Sequence, residues 1–225
     1  MQWQTKCIFC NNYTYRLNDG RVKCSVCQKK ISLMKINKVI TLIQTFIDNE
    51  NALHVSKRLH LSYVSVKKFY DEFRYITAQI CENEYEIFRK DNCEYEEYFY
   101  LENSKKEKKE AIFDAHNFLT FDYNRHIYTL LMPSLQKYKN QFLHDNIQDS
   151  YIEEFNKFKR ISRIIKVSSI HNNIVKFWNY FEKEILKYKG VSDKNFALYL
   201  KEMEFKYNHS SNDAIEILIK ESFNE

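Results

Sequence analysis

The chain has 225 residues, of which 44% are hydrophobic and 29% are charged, and its formal net charge is +5 at pH 7. This composition excludes a disordered tail, and no apolar run approaches the ~18 residues that a membrane span needs. Two glycines and one proline exclude a turn-rich all-β sandwich and a glycine-rich phosphate loop, because both require positive φ angles at several positions. The first residues lack the apolar segment of a signal peptide, so we expect a protein that stays in the cytoplasm.

The positive charge is concentrated in the first third of the chain. Residues 1–75 contain 13 Lys and Arg against 5 Asp and Glu, a net charge of +8, whereas residues 76–225 contain 22 against 25, a net charge of −3. A basic block joined to a near-neutral one indicates a nucleic-acid-binding module attached to a larger domain. Ordinary solvated lysine faces would produce the same asymmetry.

Four of the six cysteines form two Cys-x-x-Cys pairs that are separated by thirteen residues. Two thiolates at this spacing bind one ion from a tight turn, and a second pair completes a tetrahedral site. The segment between the pairs, with Asn18-Asp19-Gly20 in its middle, predicts a short hairpin. Two disulfides are the alternative, but they require an oxidising compartment. We therefore predict a zinc ribbon over residues 1–32, with structural Zn²⁺ bound by Cys7, Cys10, Cys24 and Cys27.

Residues 33–80 show helical periodicity in three segments. Ile36 to Ile47 form an apolar stripe, Asn51 caps a short second helix, and Ser62 caps a longer third helix. A short helix, a tight turn and a longer helix with a basic face are typical of a helix-turn-helix, although many three-helix bundles share the pattern and the usual turn glycine is missing. Ser65 and Lys67 are best placed to contact bases. The expected DNA-binding residues are Lys57, Arg58, Ser65, Lys67, Lys68 and Arg74.

The remaining residues, 81–225, predict strands followed by helices. Aromatic-rich or alternating segments at 93–101, 111–121, 126–132 and 161–167 favour strands. Apolar residues at helical spacing favour helices at 170–185, 193–207 and 213–223. This order of elements indicates an α+β domain.

Several of these motifs together resemble bacterial insertion-sequence transposases, namely the group with an N-terminal zinc ribbon and a DDE-type ribonuclease-H-like catalytic domain. The resemblance rests on the cysteine pairs, the helix-turn-helix, the segment His171-Asn-Asn-Ile-Val-Lys-Phe-Trp178 and residues 188–209. It implies a ribonuclease-H-like mixed sheet with helices over residues 81–225. It also implies binding of double-stranded DNA at the element's terminal repeats, a homo-oligomer, and association with the bacterial nucleoid.

The chemistry of that family uses three carboxylates around two divalent ions, Mg²⁺ or Mn²⁺. The resemblance places Glu96 at the first position, where the family has aspartate, and leaves Asp145 and Asp149 as alternatives for the second. At the third position this chain has Val175, which cannot ligate a metal. Glu182 is seven residues further on, roughly 10 Å along a helix axis, and is a poor substitute.

The resemblance therefore implies a protein that binds element ends but whose cleavage and strand transfer are impaired. Two alternatives stay open. The chain is an active DDE transposase with a relocated third carboxylate, or it is a zinc-dependent DNA-binding regulator without catalysis.

Overall fold

The computed structural model describes residues 6–102, 105, 111–139, 164–166, 173–188, 191 and 194–223. This part of the chain combines helices with antiparallel sheets, as the α+β prediction requires. It divides into two units, residues 1–80 together with 209–225, and residues 81–208. The predicted C-terminal domain, 81–225, differs from this division because the last helix belongs to the first unit. No helix in the described residues is long and apolar enough to cross a membrane.

The elements follow one another in a simple order. The strands are β1 (Thr14–Arg16), β2 (Arg21–Cys24), β3 (Lys30–Ser32), β4 (Glu94–Tyr100), β5 (His116–Tyr123), β6 (His126–Leu131) and β7 (Ile164–Lys166). The helices are α1 (Leu33–Ile47), α2 (Ala52–Arg58), α3 (Tyr63–Phe88), α4 (Asn173–Ile185), α5 (Phe196–Asn208) and α6 (Ser211–Phe223).

A three-stranded antiparallel sheet, β1-β2-β3, opens the first unit. Strands β1 and β2 form the predicted hairpin, and Gly20 adopts a φ of 76° in its turn, a conformation that glycine reaches without steric cost. Strand β3 was not predicted. Its three residues carry too short a pattern to be recognised, and it is defined by its pairing with β2, for example Ile31 opposite Val22.

The core of the first unit lies among its helices. Asn51 caps α2 as predicted, because its side chain accepts the backbone N–H of Leu53 at 2.8 Å. The apolar stripe of α1 faces α3, and the rings of Phe46 and Tyr70 meet edge to face at 5.3 Å. The core residues that are almost inaccessible to solvent include Leu42, Ile43, Phe46, Val55, Val66 and Phe73.

The C-terminal helix α6 completes this first unit. It packs against α1, and Leu218 and Ile219 on α6 are buried. Phe223, its last residue, meets Phe9 of the ribbon edge to face, with ring centroids 6.1 Å apart. Helix α6 therefore packs against α1 and contacts the ribbon, which its amphipathic pattern could not reveal because that pattern does not identify a partner.

The second unit contains a four-stranded sheet with the order β6-β5-β4-β7. Strands β4 and β6 lie within the predicted segments. Strand β5 begins later than predicted, because residues 111–114 form a 3₁₀ turn, and it continues two residues past the predicted end, to Tyr123. All three strand pairs of this sheet are antiparallel. The mixed sheet that the resemblance implied is therefore not found within the described residues.

Helices cover one face and one edge of this sheet. On the face, Trp178 of α4 stacks on Tyr98 of β4 with ring centroids 4.8 Å apart. At the edge, α5 supplies side chains to the outward backbone groups of β6. Glu204 accepts the Thr129 N–H at 2.8 Å, and Asn208 bonds both the N–H and the carbonyl of Ile127, at 2.9 and 2.7 Å. These bonds satisfy an edge that would otherwise be open to another strand.

Candidate zinc site and nucleic-acid interface

The four ribbon cysteines converge in the structure. Their sulfur atoms all lie within 4.8 Å of one another, with Cys7 and Cys27 3.7 Å apart and Cys10 and Cys24 3.4 Å apart. Four sulfurs at the corners of a zinc tetrahedron lie about 3.8 Å apart when each Zn–S bond is about 2.3 Å. A disulfide needs about 2.0 Å, and all six cysteines are free thiols. The donor set therefore fits a zinc ion and contradicts the alternative of two disulfides.

The local backbone holds both cysteine pairs in similar turns. The residue after the second cysteine of each pair is left-handed, with φ of 57° at Asn11 and 59° at Gln28. This reversal turns the chain back after each pair. The backbone N–H groups of Val26 and Cys27 both donate to the Cys24 sulfur at 3.4 Å. Such hydrogen bonds favour the thiolate, which is the form that binds metal.

The pKa values of the thiols differ with their surroundings. Burial raises the pKa of Cys7 to about 12, whereas the side chain of Asn12 is the main cause that lowers the pKa of Cys10 to about 6. Burial acts to raise the pKa of Cys24, but hydrogen bonds from backbone N–H groups outweigh it and lower that pKa overall. Metal binding requires deprotonated thiols, so zinc affinity should fall as the pH falls.

A tight turn of residues 59–62 joins α2 to α3. His60 has a φ of 53°, the left-handed conformation that glycine usually supplies at this point. The His60 N–H donates to the Lys57 carbonyl at 3.4 Å, and the Leu61 N–H donates to the Ser56 carbonyl at 2.9 Å. These two bonds form a Schellman motif at the end of α2. The missing glycine therefore does not prevent a tight turn here.

All three predicted DNA-binding lysines are exposed in the first unit. Lys57 lies in the last turn of α2, and Lys67 and Lys68 lie near the start of α3. Arg58 is also exposed, but its guanidinium donates to the Glu50 carboxylate at 2.7 Å, which neutralises part of its charge. Lys68 forms a longer ion pair, with its Nζ 3.9 Å from the Glu72 carboxylate. The three lysines thus stay exposed, with part of the Lys68 charge neutralised.

Arg74 and Ser65 differ from the expectation of an exposed polar face. The Arg74 side chain is only 4% exposed, donates to Asp71 at 3.0 Å, and lies over the Phe46 ring at 5.8 Å. Position 74 is one turn after Tyr70, on the side of α3 that packs against α1, so Arg74 is a structural residue and its assignment to a DNA-binding face is corrected. Ser65 is half-buried.

Sequence reasoning missed an exposed apolar residue on α3. Val64 is 73% exposed and its neighbour Tyr63 is 47% exposed. Lys67 and Lys68 follow Val64 by three and four residues, so all three side chains lie on one helix face. The helical phase could have revealed this, because Val64 falls outside the stripe that contains Val66.

The predicted first carboxylate lies in the second unit on β4, between β5 and β7. Glu96 is 7% exposed, and the hydroxyl of Tyr98 donates to it at 2.8 Å. Burial, and secondly this hydrogen bond, raise the pKa of Tyr98. Thr120 on β5 is the cross-strand partner of Glu96.

The third predicted position lies on α4. Val175 is 9% exposed, and Trp178 follows it by one turn on the same helix face. The Trp178 ring nitrogen donates to Thr120 Oγ1 at 2.9 Å. Helix α4 therefore packs over the face of β4 and β5 on which Glu96 lies.

The described residues do not fit a pair of divalent ions. Asp145 and Asp149 lie outside the described residues. Among the residues that are described, the four cysteines form the one group of three or more His, Cys, Asp or Glu that could hold a metal ion. Glu96 is thus the single described carboxylate of the predicted set, and Val175 offers no ligand atom.

A polar cavity of about 820 Å³ lies near the start of β4 in the second unit. The cross-strand partners Glu94 and Asp122 line it, together with Arg125, Asn173 and Lys176. None of these residues was predicted as a site residue, because the pairing that brings Glu94 and Asp122 together is not visible in the sequence. Asp122 accepts the Arg125 backbone N–H at 2.7 Å.

Comparison with known proteins gives a partial similarity. A protein of Haemophilus influenzae named "Uncharacterized transposase-like protein" is 28% identical over 104 aligned residues, which take in 37% of this chain and 82% of that protein. No protein-family model matches the chain, and no solved structure matches it. The chain therefore has a distant transposase-like homologue.

Proposed function

We propose that this chain is a transposase-family DNA-binding protein that recognises the ends of an insertion element. The observation that carries the proposal is that one unit contains both the four-cysteine site and two helices joined by a tight turn, with exposed lysines on both helices. In this proposal zinc holds the ribbon, the helix-turn-helix contacts double-stranded DNA of the terminal repeats, and the protein acts as a homo-oligomer on the bacterial nucleoid. The transposase-like homologue supports the same function.

The proposed DNA contacts follow from charge and exposure. A net charge of +8 over residues 1–75 favours association with phosphates through counterion release. Lys57, Lys67 and Lys68 are the exposed lysines on α2 and α3, and we assign them to phosphates or groove edges. Arg58 contributes less because Glu50 is paired with it.

We further propose that the second unit keeps a ribonuclease-H-like arrangement but has impaired DDE-type cleavage and strand transfer. Glu96 occupies a central strand, α4 packs over the same sheet face, and an alkyl side chain stands at the third position, Val175. Two divalent ions about 4 Å apart need several bridging oxygens to offset their mutual repulsion. A site with one ligand replaced by valine should bind the second ion weakly.

Two alternatives keep the proposed DNA binding and differ from this proposal in catalysis alone. An active transposase with a relocated third carboxylate is favoured by the polar cavity, where Glu94 and Asp122 lie beside the first turn of α4. A zinc-dependent regulator without catalysis shares the DNA-binding unit and needs no carboxylate site.

The test uses the full zinc-loaded chain and the DNA that flanks its gene in the genome. Binding is measured by fluorescence anisotropy, and nicking is measured with Mg²⁺ or Mn²⁺. We expect DNA binding by the native chain and by Val175→Glu, and nicking by Val175→Glu alone. Val175→Gln is the matched control, because it has the same length as glutamate without the charge. Failure to bind any duplex would refute the proposed function.

Cleavage by the native chain would contradict impaired catalysis and favour a relocated carboxylate. Glu94→Gln, Asp122→Asn and Glu182→Gln would then identify which carboxylate completes the site. Binding without cleavage by any variant would favour the regulator.

A further inference from the structure

We infer that Val64 reads thymine methyl groups in the major groove, so that the DNA site of this chain contains thymine opposite the first turn of α3. The inference rests on the proposed DNA-binding function and adds a base preference to it. Val64 was not among the predicted DNA-binding residues, and the structure exposes its aliphatic side chain to solvent.

The exposure of Val64 is the first observation. It is 73% exposed although the next residue but one on α3, Val66, is completely buried. Single exposed apolar side chains are common, so exposure alone has no functional meaning. Here, however, Tyr63 beside it is also exposed, and α3 has no acidic residue in its first turn.

The position of Val64 among the lysines is the second observation. Lys67 and Lys68, one turn later on the same face, are exposed. Cations around an apolar residue complement a groove that has phosphates at its rims and base edges at its floor. An apolar protein partner would leave these lysines to be desolvated, so charge complementarity favours DNA as the occupant.

The chemistry of the groove then selects the base. In a helix-turn-helix, the N-terminal residues of the second helix contact base edges in the major groove. The thymine C5-methyl group is the apolar group that the major groove offers, and the other base-edge groups there are hydrogen-bond donors or acceptors. Valine cannot hydrogen-bond to those groups, so it gains most from contact with thymine.

The experiment removes the methyl group from the DNA and the valine methyls from the protein. The full zinc-loaded chain first selects duplexes from a randomised library. Each thymine of the selected duplex is then replaced in turn by deoxyuridine, which lacks only the methyl group, and affinity is measured for the native chain and for Val64→Ala. Met34→Ala is the matched control, because Met34 is an exposed apolar residue on α1, 83% accessible to solvent.

Burial of one methyl group corresponds to about a fourfold change in affinity. We expect deoxyuridine at one or two positions to weaken native binding by about that factor. The same replacement should leave Val64→Ala unchanged, as a double-mutant cycle requires of two groups in contact. Met34→Ala should retain the full native sensitivity. A thermal melt of each variant checks that the fold is intact.

The outcomes separate the inference from the function on which it rests. Native binding that is insensitive to every deoxyuridine, or an equal sensitivity in Val64→Ala, would overturn the inference while DNA binding stands. A chain that selects no duplex at all would overturn the proposed function and the inference together. A Val64→Ala variant with changed self-association and unchanged DNA affinity would assign the residue to a protein contact and overturn the inference.

Discussion

Helix α6 gives the sharpest test of the division of the chain, since it places the C-terminal residues in the proposed DNA-binding unit. Leu218 is completely buried in α6, and replacing a buried leucine by alanine costs about 2–5 kcal/mol. The unit comprises residues 1–80 and 209–225, and in a unit of this size each kcal/mol lowers the melting temperature by about 4–8 °C. We therefore expect Leu218→Ala to lower the melting temperature of this unit by at least about 8 °C.

Hydrogen exchange followed by mass spectrometry shows which helices lose stability in this variant. Peptides of α1 should lose protection in Leu218→Ala, because α1 packs against α6, and zinc should be released at a lower temperature. The control is Leu186→Ala, since Leu186 follows α4 in the second unit and is 51% exposed. If α6 alone lost protection while α1 kept its native exchange, the reasoning that joins α1 and α6 in one core would be refuted.

Three further predictions concern the metal, the DNA and the pH dependence of stability. Cys24→Ser should release the zinc and weaken DNA binding. The control is Cys93→Ser, which changes an exposed cysteine outside the cluster and should do neither. One zinc ion per chain retained by Cys24→Ser would contradict the ligand assignment. Replacing Lys67 and Lys68 together by alanine should make the slope of log affinity against log salt concentration shallower, by about one unit per lost phosphate contact. The control, Lys183→Ala in the second unit, should leave the slope unchanged. An unaltered slope in the double variant would count against this surface. Burial raises the pKa of Glu204, so the stability this carboxyl contributes is complete below its unfolded pKa and is lost as the pH rises through the higher folded value. The stability of Glu204→Gln relative to the native chain, from urea unfolding, should therefore increase as the pH rises above the unfolded pKa of about 4. A constant difference would refute the direction of the shift.

The features that were predictable from sequence are local ones. The cysteine spacing fixes the metal cluster because the four ligands come from two tight turns and one short hairpin. Helices α1 and α2 were predictable from an apolar stripe and from the cap at Asn51. In each case the residues that determine the structure lie within a few positions of one another.

The features that sequence reasoning missed depend on distant partners. The apolar face of α6 predicts burial, but it does not show that Phe223 meets Phe9, more than 200 positions earlier. Arg74 has the charge of a DNA-binding residue, and only the packing of α3 against α1 shows that it is buried. In the same way, the antiparallel direction of β7 and the pairing of Glu94 with Asp122 depend on which distant strands pair and in which register.

The proposed loss of catalysis is related to the cost of burying charge at position 175. Glu96 is nearly inaccessible, and a second buried carboxylate on the helix above it would add repulsion that a bound cation must offset. Without the metal, valine is the more favourable residue at position 175, because it adds no second buried charge near Glu96. Val175→Glu should therefore be less stable than the native chain in EDTA, and Mg²⁺ or Mn²⁺ should recover part of that loss in a thermal melt. The native chain should show no such metal dependence when its zinc is kept saturated. A destabilised Val175→Glu that gains nothing from either ion would contradict the idea that the two carboxylates share a metal site.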